Sequence, residues 1–242
     1  PSLGDVSLNV MFRPASYVSG DIYDAQRLDE NTLGFWIADV VGHGVPAALL
    51  TMFVRRALPM KETGDDGYRL VPPNDALARL NREMVRRSTG QTRFATAVYM
   101  TLNVETLELQ TALAGHPHPM ILRSSGKVEH ISPEGPLLGV FDDEPFEMCS
   151  TQLEPGDRLL LFSDGFETAF GENDKHDTTR YLDEFQKLRN GTPEQAIKML
   201  EKIVDAQPGS LHQLDDLTVL MAHVSAEARG RVDSDVNQHA AA

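Results

Sequence analysis

Cys149 is the only cysteine in the chain, so no intrachain disulfide can form and a cytoplasmic setting is expected. No apolar run reaches the ~18 residues that a membrane-crossing helix requires, and stretches such as Leu159–Phe162 are only strand-sized. Positive charge is scarce. Lys and Arg number 22 against 36 Asp and Glu, a formal net charge of −14. Gripping nucleic acid through its phosphates needs the opposite balance, so neither a nucleic-acid nor a membrane partner is expected. Most of this acid serves solubility; any that gathers in a cleft would suit divalent cations. Nucleophile motifs are missing as well. There is no G-x-S-x-G elbow, no Arg six residues after Cys149, and no G-x-x-x-x-G-K-[ST] loop. Serine hydrolases, cysteine phosphatases and P-loop nucleotide hydrolases are thereby disfavoured.

What the chain does have is material for one large domain: 242 residues, 41% of them apolar. It opens at Pro1 without a basic-then-apolar leader, as a piece cut from a longer protein would. Residues 1–225 are expected to form the domain. Residues 226–242, which lose apolar periodicity and end in Ala240–Ala242, are expected to be a disordered tail. Period-two and short apolar runs predict strands at Ser7–Arg13, Leu33–Val41, Ala95–Asn103, Leu107–Ala114, Met120–Arg123, Val128–Ile131, Arg158–Ser163 and Leu217–Val224. Val45–Leu58, apolar almost throughout, predicts a buried helix. Asn74–Arg87 predicts an amphipathic one capped by Asn74, and Thr192-Pro193-Glu194-Gln195 is a capping box opening a helix to about Ala206. Helices grouped between runs of strands favour an α+β layered domain with largely antiparallel sheets over a doubly wound parallel sheet.

Four aspartates share one setting, a strand end beside a tight turn: Asp21 in Ser19-Gly20-Asp21, Asp39 before Val40-Val41-Gly42-His43-Gly44, Asp164 in Phe162-Ser163-Asp164-Gly165, and Asp215 in Asp215-Asp216-Leu217-Thr218. Any one of them reads as an ordinary turn residue. Repetition changes this, because adjacent strands would bring such ends together, and a buried carboxylate without a cation is costly. Oxygen ligands with no cysteine nearby point to two Mn²⁺ or Mg²⁺ ions. Such a pair can activate a water for direct attack on a phosphoryl group, and that chemistry needs no protein nucleophile.

In order and type, S-G-D-I-Y-D, A-D-V-V-G-H-G-V-P-A-A-L-L, A-G-H-P-H-P, F-S-D-G and D-D-L-T-V resemble the motifs of the PPM (protein phosphatase 2C-like) family, in its bacterial SpoIIE-type branch, from about Gly20 to Val224. The resemblance implies an α-β-β-α sandwich of two central antiparallel sheets and a metal-dependent phosphoserine/phosphothreonine phosphatase. It implies that Asp39 bridges both metals, joined on one by Asp21 and the main-chain carbonyl of Val40, while Asp164 and Asp215 complete the other. Asp39 and Asp164 are the catalytic residues in this assignment. Asp216 is expected to brace the loop, and Asp24 to be a plain turn residue. The implied substrate is a phosphorylated STAS-type anti-sigma-factor antagonist. An upstream receiver or sensor domain is implied too, with room for a homodimer. Helices near Val45–Leu58 could then relay such input to Asp39.

The histidines are less defined. His43 can be read as a proton donor or as a structural residue at the start of the next helix. His116 and His118, among Pro and Gly, read as a turn, and Leu113 stands where the branch commonly has Asn. The rival from another class is a phosphatase-fold adaptor that only binds a regulatory partner; the presence of all four aspartates favours catalysis.

Overall fold

The computed structural model describes residues 2–42, 44–64, 67–87, 93–170, 180–207 and 215–228. His43 and most of the expected tail, residues 229–242, lie outside them. The chain begins with β1 (Ser2–Leu3), β2 (Val6–Arg13), β3 (Asp21–Arg27) and β4 (Thr32–Val40), followed by α1 (Val45–Ala57). A small hairpin of β5 (Lys61–Gly64) and β6 (Gly67–Leu70) precedes α2 (Pro73–Arg87). Then come β7 (Ala95–Asn103), β8 (Glu108–Ala114), β9 (Met120–Leu122), β10 (Val128–His130), β11 (Cys149–Gln152) and β12 (Arg158–Phe162). The helices α3 (Gly165–Phe170), α4 (Arg180–Lys187) and α5 (Pro193–Asp205) lead into the last strand, β13 (Leu217–Val224).

Two antiparallel sheets form the middle of the molecule, one ordered β1-β2-β13-β12-β9-β10 and the other β11-β8-β7-β4-β3. Their facing sides share a core built from Phe35, Ile37, Val98, Met100, Leu159, Leu161 and Leu220. Alternate residues of the same strands face outward. Trp36, Ala38, Val40 and Tyr99 pack with Leu50, Val54, Leu77 and Leu80 of α1 and α2. On the far side Leu160, Phe162, Val219 and Met221 pack with Phe166, Phe185 and Leu200 of α3–α5. The result is the expected four-layer α-β-β-α sandwich. Both faces of β4, β12 and β13 are covered, which is why they read as continuous apolar runs.

Several elements differ from the sequence expectation. β3 is a strand, not merely a turn, and β11 was unexpected; both are edge strands with polar, partly exposed residues. Among the described residues the β12–β13 connection holds α3 and α4 in addition to the expected α5. α2 starts at Pro73, with the Pro72 carbonyl accepting from Ala76 N, so Asn74 lies in the first turn and does not cap it. α1 is not buried all round: Ala47, Leu50, Thr51 and Val54 face the sheet, while Val45, Leu49 and Met52 are exposed. The α5 capping box forms as expected, with Thr192 and Gln195 exchanging hydrogen bonds.

Candidate active site

The β3–β4 register sets Asp21 directly opposite Asp39, and the β4–β7 register sets Asp39 opposite Thr96. Cross-strand partners share a face. Asp39 has the same parity as Phe35 and Ile37, so Asp21, Asp39 and Thr96 form a row looking into the space between the sheets. The other sheet supplies the opposite side. Asp164 follows β12 and Asp215 lies just before β13, two strands that are direct neighbours.

Hydroxyl and carboxylate hydrogen bonds lock the two halves together. Thr218 Oγ1 donates to Asp21 Oδ2 at 2.5 Å. Thr218 N donates to Ser163 Oγ at 3.0 Å, and Ser163 N donates to the Thr218 carbonyl. Asp216 accepts from Ala15 N at 2.7 Å through one oxygen, and from Gly20 N at 2.7 Å and Asp21 N at 3.3 Å through the other. Asp216 thus braces the loop entering β3, as expected of it. Ser163 and Thr218 were not foreseen. Each lies inside a motif that was recognised, but its partner is distant in sequence, and a hydroxyl beside an aspartate is too common to be a signal. Asp24 is not a turn residue: it lies within β3 opposite Trp36, away from the cleft, accepts from Gln26 Nε2 and pairs with Arg55 at 3.5 Å.

Burial pushes the Asp39 carboxyl up to about 8, and repulsion from Asp21, Asp164, Asp215 and Asp216 adds to the rise. Burial likewise pushes Asp21 up to about 7. Hydrogen bonds from Thr218 and Ser163 oppose that rise, and Asp216 and Asp164 reinforce it. Asp164 is raised by burial and by Asp215. No basic group figures among the causes at any of the three. Such a cluster lacks only positive charge.

Main-chain oxygens extend it. A Cβ placed on Gly20 would sit 3.0 Å from the Val40 carbonyl oxygen, 3.1 Å from Asp39 Oδ1 and 3.4 Å from the Gly42 carbonyl oxygen. Three oxygens therefore crowd one spot that only glycine leaves open. Among the described residues, no group of three or more His, Cys, Asp or Glu side chains is by itself arranged to hold a metal ion. The all-oxygen donor set, part side chain and part main chain, and the uncompensated carboxylates nonetheless fit a hard divalent cation.

A cleft of about 500 Å³ opens beside Asp164, lined by Glu167 and Tyr181 of the helical side and by His116, His118 and His130. The 115–119 segment is irregular, as expected, yet His116 is not an exposed turn residue: it is buried. Leu113 is buried in the core between the sheets. Cys149 is half-buried in β11, and burial raises its thiol pKa, so it offers no reactive thiolate.

A four-layer sandwich with two antiparallel central sheets is consistent with the phosphatase 2C (PPM) class of domain. The family model "Stage II sporulation protein E (SpoIIE)" matches residues 29–225, and the chain belongs to that family, the SpoIIE-type branch of the PPM phosphatase domains. Phosphoserine phosphatase RsbU of Bacillus subtilis is 28% identical over 213 residues, covering 86% of this chain and 60% of RsbU. Phosphoserine phosphatase RsbP of the same organism is 28% identical over 160 residues, covering 66% of this chain and 39% of RsbP. The chain therefore spans less than two thirds of either relative. Among solved structures, the RsbU and RsbW domains of Rv1364c from Mycobacterium tuberculosis superpose with a TM-score of 0.76 at 25% identity, covering 93% of this chain and 62% of that one. Among the described residues no helix is long and apolar enough to cross a membrane.

Proposed function

We propose that this domain is a Mn²⁺- or Mg²⁺-dependent protein serine/threonine phosphatase, and that Asp21, Asp39, Asp164, Asp215 and the Val40 carbonyl hold its two ions. The observation that carries the reading is the pairing of buried Asp21 with half-buried Asp39, both raised in pKa, facing two further aspartates and lacking any basic neighbour among the causes of the shifts. When bound, the ions supply a water of lowered pKa and charge neutralisation on the phosphoryl oxygens. The protein's part is positional. Thr218 and Ser163 orient Asp21, Asp216 fixes the Gly20–Asp21 main chain, and the β3–β4 ladder holds Asp39 against its neighbours' repulsion. The names of RsbU and RsbP support a phosphoserine substrate. A phosphorylated STAS-type protein in a bacterial signalling pathway is the proposed partner, under control of an upstream receiver or sensor domain and in the cytoplasm.

Phosphopeptide hydrolysis with and without Mn²⁺ tests this. Activity should require the ion and vanish with EDTA, and Asp164→Asn should lower kcat by about 100-fold or more with the fold intact. In a single turnover ¹⁸O from water should enter phosphate, with no phosphoenzyme. Metal-independent turnover, or an acid-stable phosphoryl-enzyme, would overturn the proposal. An adaptor would show no Mn²⁺-stimulated hydrolysis at all.

The Gly20 contacts yield a second expectation. Gly20→Ala puts a methyl group against Val40 O and Asp39 Oδ1, which must give way by a few tenths of an ångström. Catalytic geometry tolerates little displacement, so apparent Mn²⁺ affinity should weaken about tenfold while secondary structure by circular dichroism stays unchanged. Unaltered Mn²⁺ dependence would remove the Gly20 cradle from the site.

A further inference from the structure

His116 is unusual for its surroundings. It is 5% exposed, it lies between the two sheets, and burial drives its pKa down to about 3. It is therefore neutral at working pH and unsuited to donate a proton to a leaving group. An apolar residue could fill the same space without the cost of burying an imidazole.

The local sequence is built to turn this ring inward. Gly115 leaves β8 with φ +61°, bridges Ala97 of β7, and donates its N–H to the Gly135 carbonyl. The positive φ favours glycine at 115, and a Cβ there would also push Leu137 Cδ2 aside, 2.6 Å away. The next residue is thereby sent between the sheets.

What the ring reaches there matters. Nδ1 lies 2.8 Å from Thr96 Oγ1. Thr96 is the β7 residue paired with Asp39 and stands in the same inward row as Asp21 and Asp39. Nε2 is fully enclosed without a hydrogen-bond partner, and the ring lies beside the main chain of Phe162, two residues before Asp164. With the proton on Nε2, Thr96 donates to Nδ1. Thr96, His116, Phe162 and Asp164 all line the same cleft.

We propose that His116 is a positioning residue: a neutral imidazole strut, anchored on Thr96, that sets the spacing between the Asp39 strand of one sheet and the Asp164 strand of the other. Neither sheet can fix that spacing alone, because no main-chain ladder joins β4 or β7 to β12. The inference rests on the proposed metal site for its functional meaning, but its geometry does not depend on an ion.

The test uses His116→Gln, Thr96→Val and the double variant. Calorimetric Mn²⁺ titration is paired with hydrogen exchange of the Asp39, Val40 and Asp164 amides in metal-free protein. Each single variant should bind Mn²⁺ about tenfold more weakly, the low end of what partners behind a metal ligand cost. Exchange at those amides should rise about tenfold, and the double variant should be no worse than the poorer single, since one interaction is removed. Wild-type Mn²⁺ affinity and exchange in both singles would overturn the strut, as would fully additive losses. A general fall in melting temperature with unchanged affinity would mark His116 as core filling only. If His116→Gln fails to fold, Thr96→Val, which deletes one hydroxyl, decides by itself. If wild-type protein takes up no Mn²⁺, the metal site falls, and the exchange measurement still decides the strut.

Discussion

Asp39→Asn is expected to cut phosphatase activity by more than about 100-fold and, in the same protein, to raise the melting temperature of the metal-free form at pH 8. The two effects have one cause. Asp39 is half-buried opposite the buried Asp21 and repelled by Asp21, Asp164 and Asp215, so its charge strains the fold unless a cation is present. Asparagine keeps the shape and removes the charge. The activity loss should exceed the 10- to 100-fold typical of groups one step behind a ligand. The gain in apo stability should show as several degrees, at roughly 2–4 °C per kcal/mol for a domain of this size. Calorimetry and phosphopeptide turnover on one preparation read both. Wild-type activity in Asp39→Asn would remove Asp39 from the site, and a lowered apo melting temperature at pH 8 would contradict the charge strain.

Metal-free protein should also lose stability as pH rises from about 6.5 to about 8, where many domains are near their optimum. The sign follows from linkage. Asp21 and Asp39 have folded-state pKa values near 7 and 8, above the ordinary carboxylate value of 3.8. Through this window the native state still holds protons that the unfolded chain has released, so deprotonation disfavours folding. A second trend runs the other way, strongest below about 6.5 and fading by about 7.5. His116 and His223 are held neutral by burial, and the unfolded chain gains by protonating them. Between 6.5 and 8 the two carboxylates outweigh the fading opposite contribution of these histidines. The expected loss is roughly 2 kcal/mol, or about 5 °C. Saturating Mn²⁺ should reverse the slope, because its ligands must be deprotonated and its stabilisation grows with pH. A flat or rising apo melting curve between pH 6.5 and 8 would show that the pair is not strained.

The parts of this molecule that could be read from sequence are those whose cause is local. Phe35–Ala38 and Leu159–Phe162 announce covered strands by apolar content, and Asp39 and Asp164 stand out because they end such runs. Thr192 and Gln195 announce their helix because both cap partners lie within one turn. What escaped depends on distance. β3 carries Asp21, Asp24 and Arg27 and shows no apolar alternation, because it is an edge strand whose partner β4 supplies the burial. The apolar run in α1 hid which face meets the sheet, since Val45, Leu49 and Met52 look the same on paper as Leu50 and Val54. The Thr218–Asp21 hydrogen bond spans 197 residues, and no local pattern encodes it. The imidazole of His116 looked like part of a turn because the Gly115 and Pro117 beside it are turn residues; their combined effect is to steer it inward.

The pairing of β2 with β13 sets a clock for the protein's birth. Val6–Arg13 lies against Leu217–Val224 along its whole length, joining the first long strand to the last. A chain emerging from the ribosome at roughly 5–20 residues per second leaves β2 waiting on the order of ten to forty seconds for its partner. Until β13 arrives, Thr218 cannot reach Asp21 and Asp216 cannot hold the Gly20 loop. The sheet carrying β3, β4 and β7 can assemble earlier from nearer segments, but with its aspartates unmatched. A nascent chain stalled before residue 217 should therefore have no competence for Mn²⁺, and the domain should gain it late and all at once.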